Sequence, residues 1–207
     1  MGDLDLAARI RRDGAPFLSV DLRVAPGTVT TVMGPSGSGK STLLAFVVGD
    51  LRPPFAAAGH VRLDGADLTA IPPERRRIGL LYQDPLLFPH LSVGANLLFG
   101  MPPGPRRARR ARMEAALRDI GLDGLAERDP ATLSGGQAAR VALMRVLLSE
   151  PRALLLDEPF GKLDADLRDR MRTLVLERVR AAGLPALLVT HDAADAEAAG
   201  GPVVRLG

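Results

Sequence analysis

Gly34-Pro35-Ser36-Gly37-Ser38-Gly39-Lys40-Ser41 brings three glycines, an ammonium and a terminal hydroxyl into eight residues. Glycines in this pattern let successive backbone N–H groups face a chain of phosphates with no Cβ in the way. Lys40 brings a positive charge to the outer phosphates and Ser41 offers a hydroxyl to Mg²⁺. The helix opened by Ser41 and Thr42 aims its positive end at the same anion. A glycine-rich turn before Lys-Ser can occur in any strand-to-helix connection. Here the loop follows a β-branched run at residues 28–33 and precedes an apolar run at 43–48, the strand–loop–helix order that phosphate binding requires. Of the 27 basic residues only Lys40 and Lys162 are lysine, leaving 25 arginines. A lysine kept against that usage suggests a position where a compact ammonium fits and a planar guanidinium does not.

Further residues fit the same chemistry. Leu154-Leu155-Leu156 reads as a buried parallel strand that delivers Asp157 to its carboxyl end, the side on which open α/β sheets bind ligands. Asp157 suits Mg²⁺, held directly or through water. Glu158, on the opposite face by strand alternation, suits the activation of an attacking water. His191 follows a second apolar strand and emerges at the same sheet edge, where it can donate to a γ-phosphate. Gln83, just past residues 78–82, arrives there with a neutral carbonyl for metal and water. Either of these two would carry little weight alone. Leu133-Ser134-Gly135-Gly136-Gln137 precedes a helical run, so Ser134 caps a helix whose glycines expose N–H groups at its positive end. This makes a second anion site, although Ser-Gly-Gly is more often only a capped turn.

Elements must hold these residues in place. Apolar or alternating runs predict strands at 4–10, 17–24, 28–33, 61–63, 77–82, 153–157, 186–190 and 203–206. Helical patterns fit 40–49, 92–99, 106–120, 135–149, 163–182 and 192–199. Strands dominate both ends and helices the middle, which predicts a nucleotide-binding α/β core from 1–83 and 150–207 with a helical subdomain, 84–149, inserted. The 207 residues suit one functional unit. With no cysteine there is no disulfide framework and no thiolate metal site. No apolar run approaches the ~18 residues of a membrane span, so the expectation is a soluble chain whose membrane role needs partner subunits. Net charge is +3, and the basic run Arg106, Arg107, Arg109, Arg110 and Arg112 spreads around a helix. That argues against direct nucleic-acid binding, as does an aromatic content of 3%.

Taken in order, the phosphate loop, Gln83, the LSGGQ segment, Leu154-Leu155-Leu156-Asp157-Glu158-Pro159, Asp164 and His191 resemble an ATP-binding cassette ATPase along the whole chain. The resemblance implies an α/β, RecA-like P-loop core with an N-terminal antiparallel β portion, and ATP and Mg²⁺ as ligands. It implies that Ser41, Gln83 and Asp157 serve the metal and that Glu158, His191 and Gln83 serve hydrolysis. It also implies a homodimer or pseudo-dimer in which Ser134, Gly135, Gly136, Gln137 and Asp164 reach the partner's nucleotide in trans. The segment from Gln83 to Asn96 is similar to the importer branch, where this surface receives a helix of the permease; the apolar residues among Phe88, Leu91, Val93 and Asn96 serve either that contact or the subdomain's own core. Small cassettes of thiamine-type uptake systems are the nearest likeness. An integral-membrane permease, a substrate-binding protein and a cytoplasmic position on the inner face of the membrane follow as expectations. Because the chain ends soon after His191, no regulatory domain of the kind on longer importer cassettes is expected.

Two departures stand out. The family places an adenine-stacking aromatic where this chain has Arg11-Arg12-Asp13-Gly14, so Arg11, or else Phe17, takes that part. The loop Gly161-Lys162-Leu163-Asp164 replaces a common Ser-Ala-Leu-Asp. Other functions compete with the importer reading. A non-transport cassette acting on DNA or ribosomes would carry a long coiled coil or two fused cassettes. A P-loop kinase or GTPase would lack the signature.

Overall fold

In β1 (Leu4–Arg12) every second residue turns inward, from Leu4 through Leu6 and Ala8 to Ile10, while the residues between face outward. β2 (Ala15–Val24) repeats the pattern with Val20, Leu22 and Val24. This period of two marks a sheet with one covered face. The computed structural model describes residues 2–161 and 163–206. The two strands join through Asp13 and Gly14, both at positive φ, which matches the right-handed twist of a tight hairpin. After β3 (Val29–Met33) and α1 (Lys40–Val48), β4 (Phe55–Leu63) pairs antiparallel with β1 over its whole length. The two-residue β5 (Ala66–Asp67) completes the order β2-β1-β4-β5.

The second sheet has the order β6-β7-β8-β3-β9, from β6 (Ile78–Leu81), β7 (Ala153–Asp157), β8 (Ala186–Val189) and β9 (Val203–Arg205). The ladders β7–β8, β8–β3 and β3–β9 are parallel. β8 is buried at every position, and β3 and β7 at all but the last, as parallel strands covered on both faces must be. Leu43, Leu44 and Val47 of α1 join Leu155, Leu187 and Val189 in one core with the antiparallel sheet. Each fully buried leucine contributes about 2 kcal/mol of transfer free energy.

The chain divides into two compact units. The first holds residues 1–80, 152–158 and 174–207. The second holds 81–151 and 159–173, and contains α3 (Val93–Gly100), α4 (Arg106–Asp119), α5 (Gly135–Leu148) and the start of α6 (Ala165–Ala181). Within it α3 packs on α4 and α5. Its bounds differ from the 84–149 expected from sequence, because residues 159–173 group with the helices. Within that stretch Asp164 favours the charge of the half-buried Arg140 of α5, while Arg170 opposes it. The four-residue α2 (Pro73–Arg76) is too short to show helical periodicity, while α7 (Ala193–Ala199) starts one residue after its Asp192 cap.

Candidate functional site

β3 ends against the phosphate loop, and the loop has no space to spare. A Cβ on Gly34 would stand 2.7 Å from both the Leu206 carbonyl oxygen and Ser38 Oγ. Gly39 lies at φ +93, and a Cβ there would meet the Phe17 ring at 2.8 Å. Both positions therefore require glycine. Lys40, 8% exposed, folds back and donates through Nζ to the carbonyls of Gly34 at 2.8 Å and Pro35 at 2.9 Å. An ammonium has a third donor to give. The first turn of α1 itself holds no acidic residue. Ser38 Oγ is buried inside the loop without a partner among the described residues. A buried orphan hydroxyl, an ammonium and a helix N-terminus together fit a polyphosphate.

Asp157, at the end of β7, takes a hydrogen bond from Ser41. Burial pushes its carboxyl above the usual range. The Ser41 bond pulls it down, Glu158 adds to the rise and Lys40 opposes it. A raised carboxyl contributes stability that is complete below the ordinary carboxylate pKa and is lost as pH rises past its folded value. Asp157→Asn should therefore melt at a higher temperature than the wild type at neutral pH without nucleotide, yet lose Mg²⁺-dependent ATP binding. Thermal unfolding across pH checks this, and a lower melting point for the nucleotide-free variant would contradict it. Among the described residues no cluster of three or more His, Cys, Asp or Glu stands ready for a metal. Mg²⁺ suits such a site all the same, because it needs only one or two carboxylates when phosphate oxygens and waters supply the rest.

Glu158 follows Asp157 at φ +47, in the left-handed region that non-glycine residues rarely enter. Its N–H reaches the Val189 carbonyl at 2.9 Å, which ties it to the end of β8. His191 Nδ1 lies 3.1 Å from Glu158 Oε1. A protonated imidazole has a donor on each ring nitrogen, one for the carboxylate and one for a further acceptor. The first unit thus brings together residues 34–42, Asp157, Glu158 and His191.

The second unit holds the other expected residues. Gln83 is exposed and lies two positions past β6, directly after Tyr82, which is 45% exposed. Ser134 caps α5 in a reciprocal box: its hydroxyl accepts from Gln137 N–H at 3.3 Å, and the Gln137 side chain accepts from Ser134 N–H at 2.9 Å. The Ser134 hydroxyl therefore keeps its own proton to donate, and the first turn of α5, like that of α1, has no acid. Asp164 caps the start of α6 by accepting from Leu167 N–H at 3.0 Å. The adjoining Lys162 lies outside the described residues.

Of the surface expected for a partner helix, Val93 and Asn96 are fully buried. The Asn96 amide clamps the preceding loop, accepting from Phe88 N–H and donating to the carbonyls of Phe88, Leu91 and Ser92. Its polar side chain is consumed inside the unit and is not presented outward. Leu86 and Phe99, at 58% and 65% exposed, are the outward apolar residues instead. Phe99 stacks 4.6 Å from Phe88, and Arg145 of α5 lies 5.0 Å over the Phe88 ring while donating to the carbonyls of Pro85 and Leu86. Sequence reasoning missed Arg145, because its partners lie about 60 residues away. On the base side, Phe17 borders a 470 Å³ cleft with Pro35, Ser36 and Gly37, and a second cleft of 370 Å³ with Arg9 and Arg11.

The family model for ABC transporters matches residues 17–161. An uncharacterized ABC transporter ATP-binding protein of Escherichia coli, YnjD, is 48% identical over 87% of this chain and 83% of its own. An Fe(3+) ions import ATP-binding protein, FbpC of Mesorhizobium japonicum, is 46% identical over 88% of this chain, which spans 51% of that relative's length. The thiamine import ATP-binding protein ThiQ of a Jannaschia species is 44% identical over 90% of this chain and 81% of its own. The bacterial ABC transporter cassette MJ0796, solved as a dimer, superposes with a TM-score of 0.84 at 28% identity, covering 98% of this chain and 94% of that one. It has also been solved in a post-hydrolysis state with ADP and phosphate, to which this chain has a TM-score of 0.83. A phosphate loop, an LSGGQ helix cap and a paired Asp157-Glu158 strand end, in one fold with these likenesses, have a single explanation: the chain belongs to the ABC transporter family, as one of its ATP-binding cassettes.

Proposed function

We propose that this cassette binds ATP with Mg²⁺, hydrolyses it, and couples the hydrolysis to import of a small solute through a partner permease. The observation that carries the hydrolytic part is the Glu158–His191 contact at 3.1 Å, at the sheet edge that also bears the phosphate loop. Lys40 and the N–H groups of residues 36–41 hold the phosphates. Ser41 and Asp157 would hold Mg²⁺, which would screen phosphate charge when bound. Glu158 takes the proton of the attacking water, and His191, protonated on both ring nitrogens, keeps the carboxylate aimed through Nδ1 while Nε2 donates to the γ-phosphate. Ser134, Gly135, Gly136, Gln137 and Asp164 serve the nucleotide of a second cassette, as the free proton of Ser134 and the bare positive end of α5 allow.

Import is favoured by the relatives named for it, whose solutes include iron(III) and thiamine. With such different solutes among them, thiamine has no privileged claim. Choice of solute then falls to the permease and an external binding protein. No helix of the described residues is long and apolar enough to cross a membrane, so attachment to the inner face of a membrane runs through the permease. The outward pair Leu86 and Phe99 offers the docking surface. Phe99→Ser should leave melting temperature and free ATPase rate unchanged but abolish transport in the reconstituted complex. Full transport by that variant would remove the surface from the coupling.

A further inference from the structure

We infer that Thr190 and Asp195 form a latch that positions His191 for hydrolysis, a role that rests on the assignment of His191 above. Both are polar side chains buried in the first unit, 2% and 4% exposed. Thr190 Oγ1 donates to Asp195 Oδ2 at 3.1 Å, and the same oxygen accepts from Asp192 N–H at 3.0 Å. Thr190 N–H reaches Val32 O, in the strand that feeds the phosphate loop, at 3.3 Å. One hydroxyl thus ties the residue before His191 to the residue after it and to the first turn of α7, which itself packs on β3.

His191 needs such a hold. Its side chain is 70% exposed, so packing does not fix the ring, yet its Nδ1 must meet Glu158. The chain turns from β8 into α7 within Thr190, His191 and Asp192, and Asp192 already caps the helix by accepting from Ala194 N–H at 2.8 Å. Capping therefore does not require Asp195 to be acidic. Burying a carboxylate carries a desolvation cost that an apolar residue in α7 would avoid. What Asp195 adds is direction: by accepting the Thr190 proton it leaves that oxygen's lone pairs for Asp192 N–H, which fixes the backbone on both sides of the imidazole.

The test is a double-mutant cycle in the full chain. Thr190→Val should lower kcat by ~10-fold with the Kd for ATP unchanged, and Thr190→Ser should restore it. His191→Ala should lower kcat by ~100-fold. The double variant should turn over no more slowly than His191→Ala alone, whereas independent effects would multiply to ~1000-fold. Asp195→Ala cuts the same link from the other side and supplies the cycle if Thr190→Val does not fold. A folded Thr190→Val or Asp195→Ala with wild-type turnover, or losses that multiply, would overturn the latch. Wild-type turnover in His191→Ala would instead overturn the assignment of His191, and the latch with it.

Discussion

ATP binding is expected to weaken by ~100-fold when Lys40 becomes alanine, because a charge-assisted hydrogen bond contributes roughly 1.5–3 kcal/mol and the upper part of that range corresponds to two decades of affinity. The loss has two sources. The phosphates lose their nearest cation, and the carbonyls of Gly34 and Pro35 lose the ammonium donor that draws the loop together. Lys40→Arg separates them, since it keeps the charge but must fit a branched, planar head where an 8%-exposed ammonium now lies. Equilibrium titration with ATP and Mg²⁺ reads both variants. An alanine variant that binds as tightly as the wild type would take Lys40 out of the phosphate site.

Glu158→Gln is expected to hydrolyse ATP ~1000-fold more slowly while binding it within a few-fold of the wild type. The substitution removes the basic oxygen and keeps an acceptor for His191 Nδ1, so geometry survives while proton transfer does not. Without turnover the nucleotide stays between two cassettes, and the variant should elute as a dimer only when ATP is present. Hydrolysis at the wild-type rate would show that another group activates the water.

Both variants change residues that could be found by reading the chain, because the information that places them is local. A tight loop between a β-branched run and an apolar helix, and a triple leucine ending in Asp157 and Glu158, each specify their own geometry within a dozen residues. The first half of β4 was not legible, since Ala56–Ala57–Ala58–Gly59 has no alternation and is held by the β1 backbone opposite. Residues 159–173 belong to the helical unit, where Asp164 acts on Arg140 from outside any short window. Sequence left open whether Val93 and Asn96 meet a partner or the subdomain's core; α3 turns them inward and leaves Phe99 out, a matter of helical phase against neighbours absent from the local sequence. The contact between Glu158 and His191 joins residues 33 positions apart, and the sequence could say only that both end strands.

Tyr82 is the chain's one tyrosine, and there is no tryptophan. It is 45% exposed and immediately precedes Gln83. All indole emission is therefore missing, and the phenolic fluorescence of the whole protein comes from a single side chain beside Gln83. The molecule carries a native optical probe there, one that reports the environment of the Gln83 segment without any label being introduced.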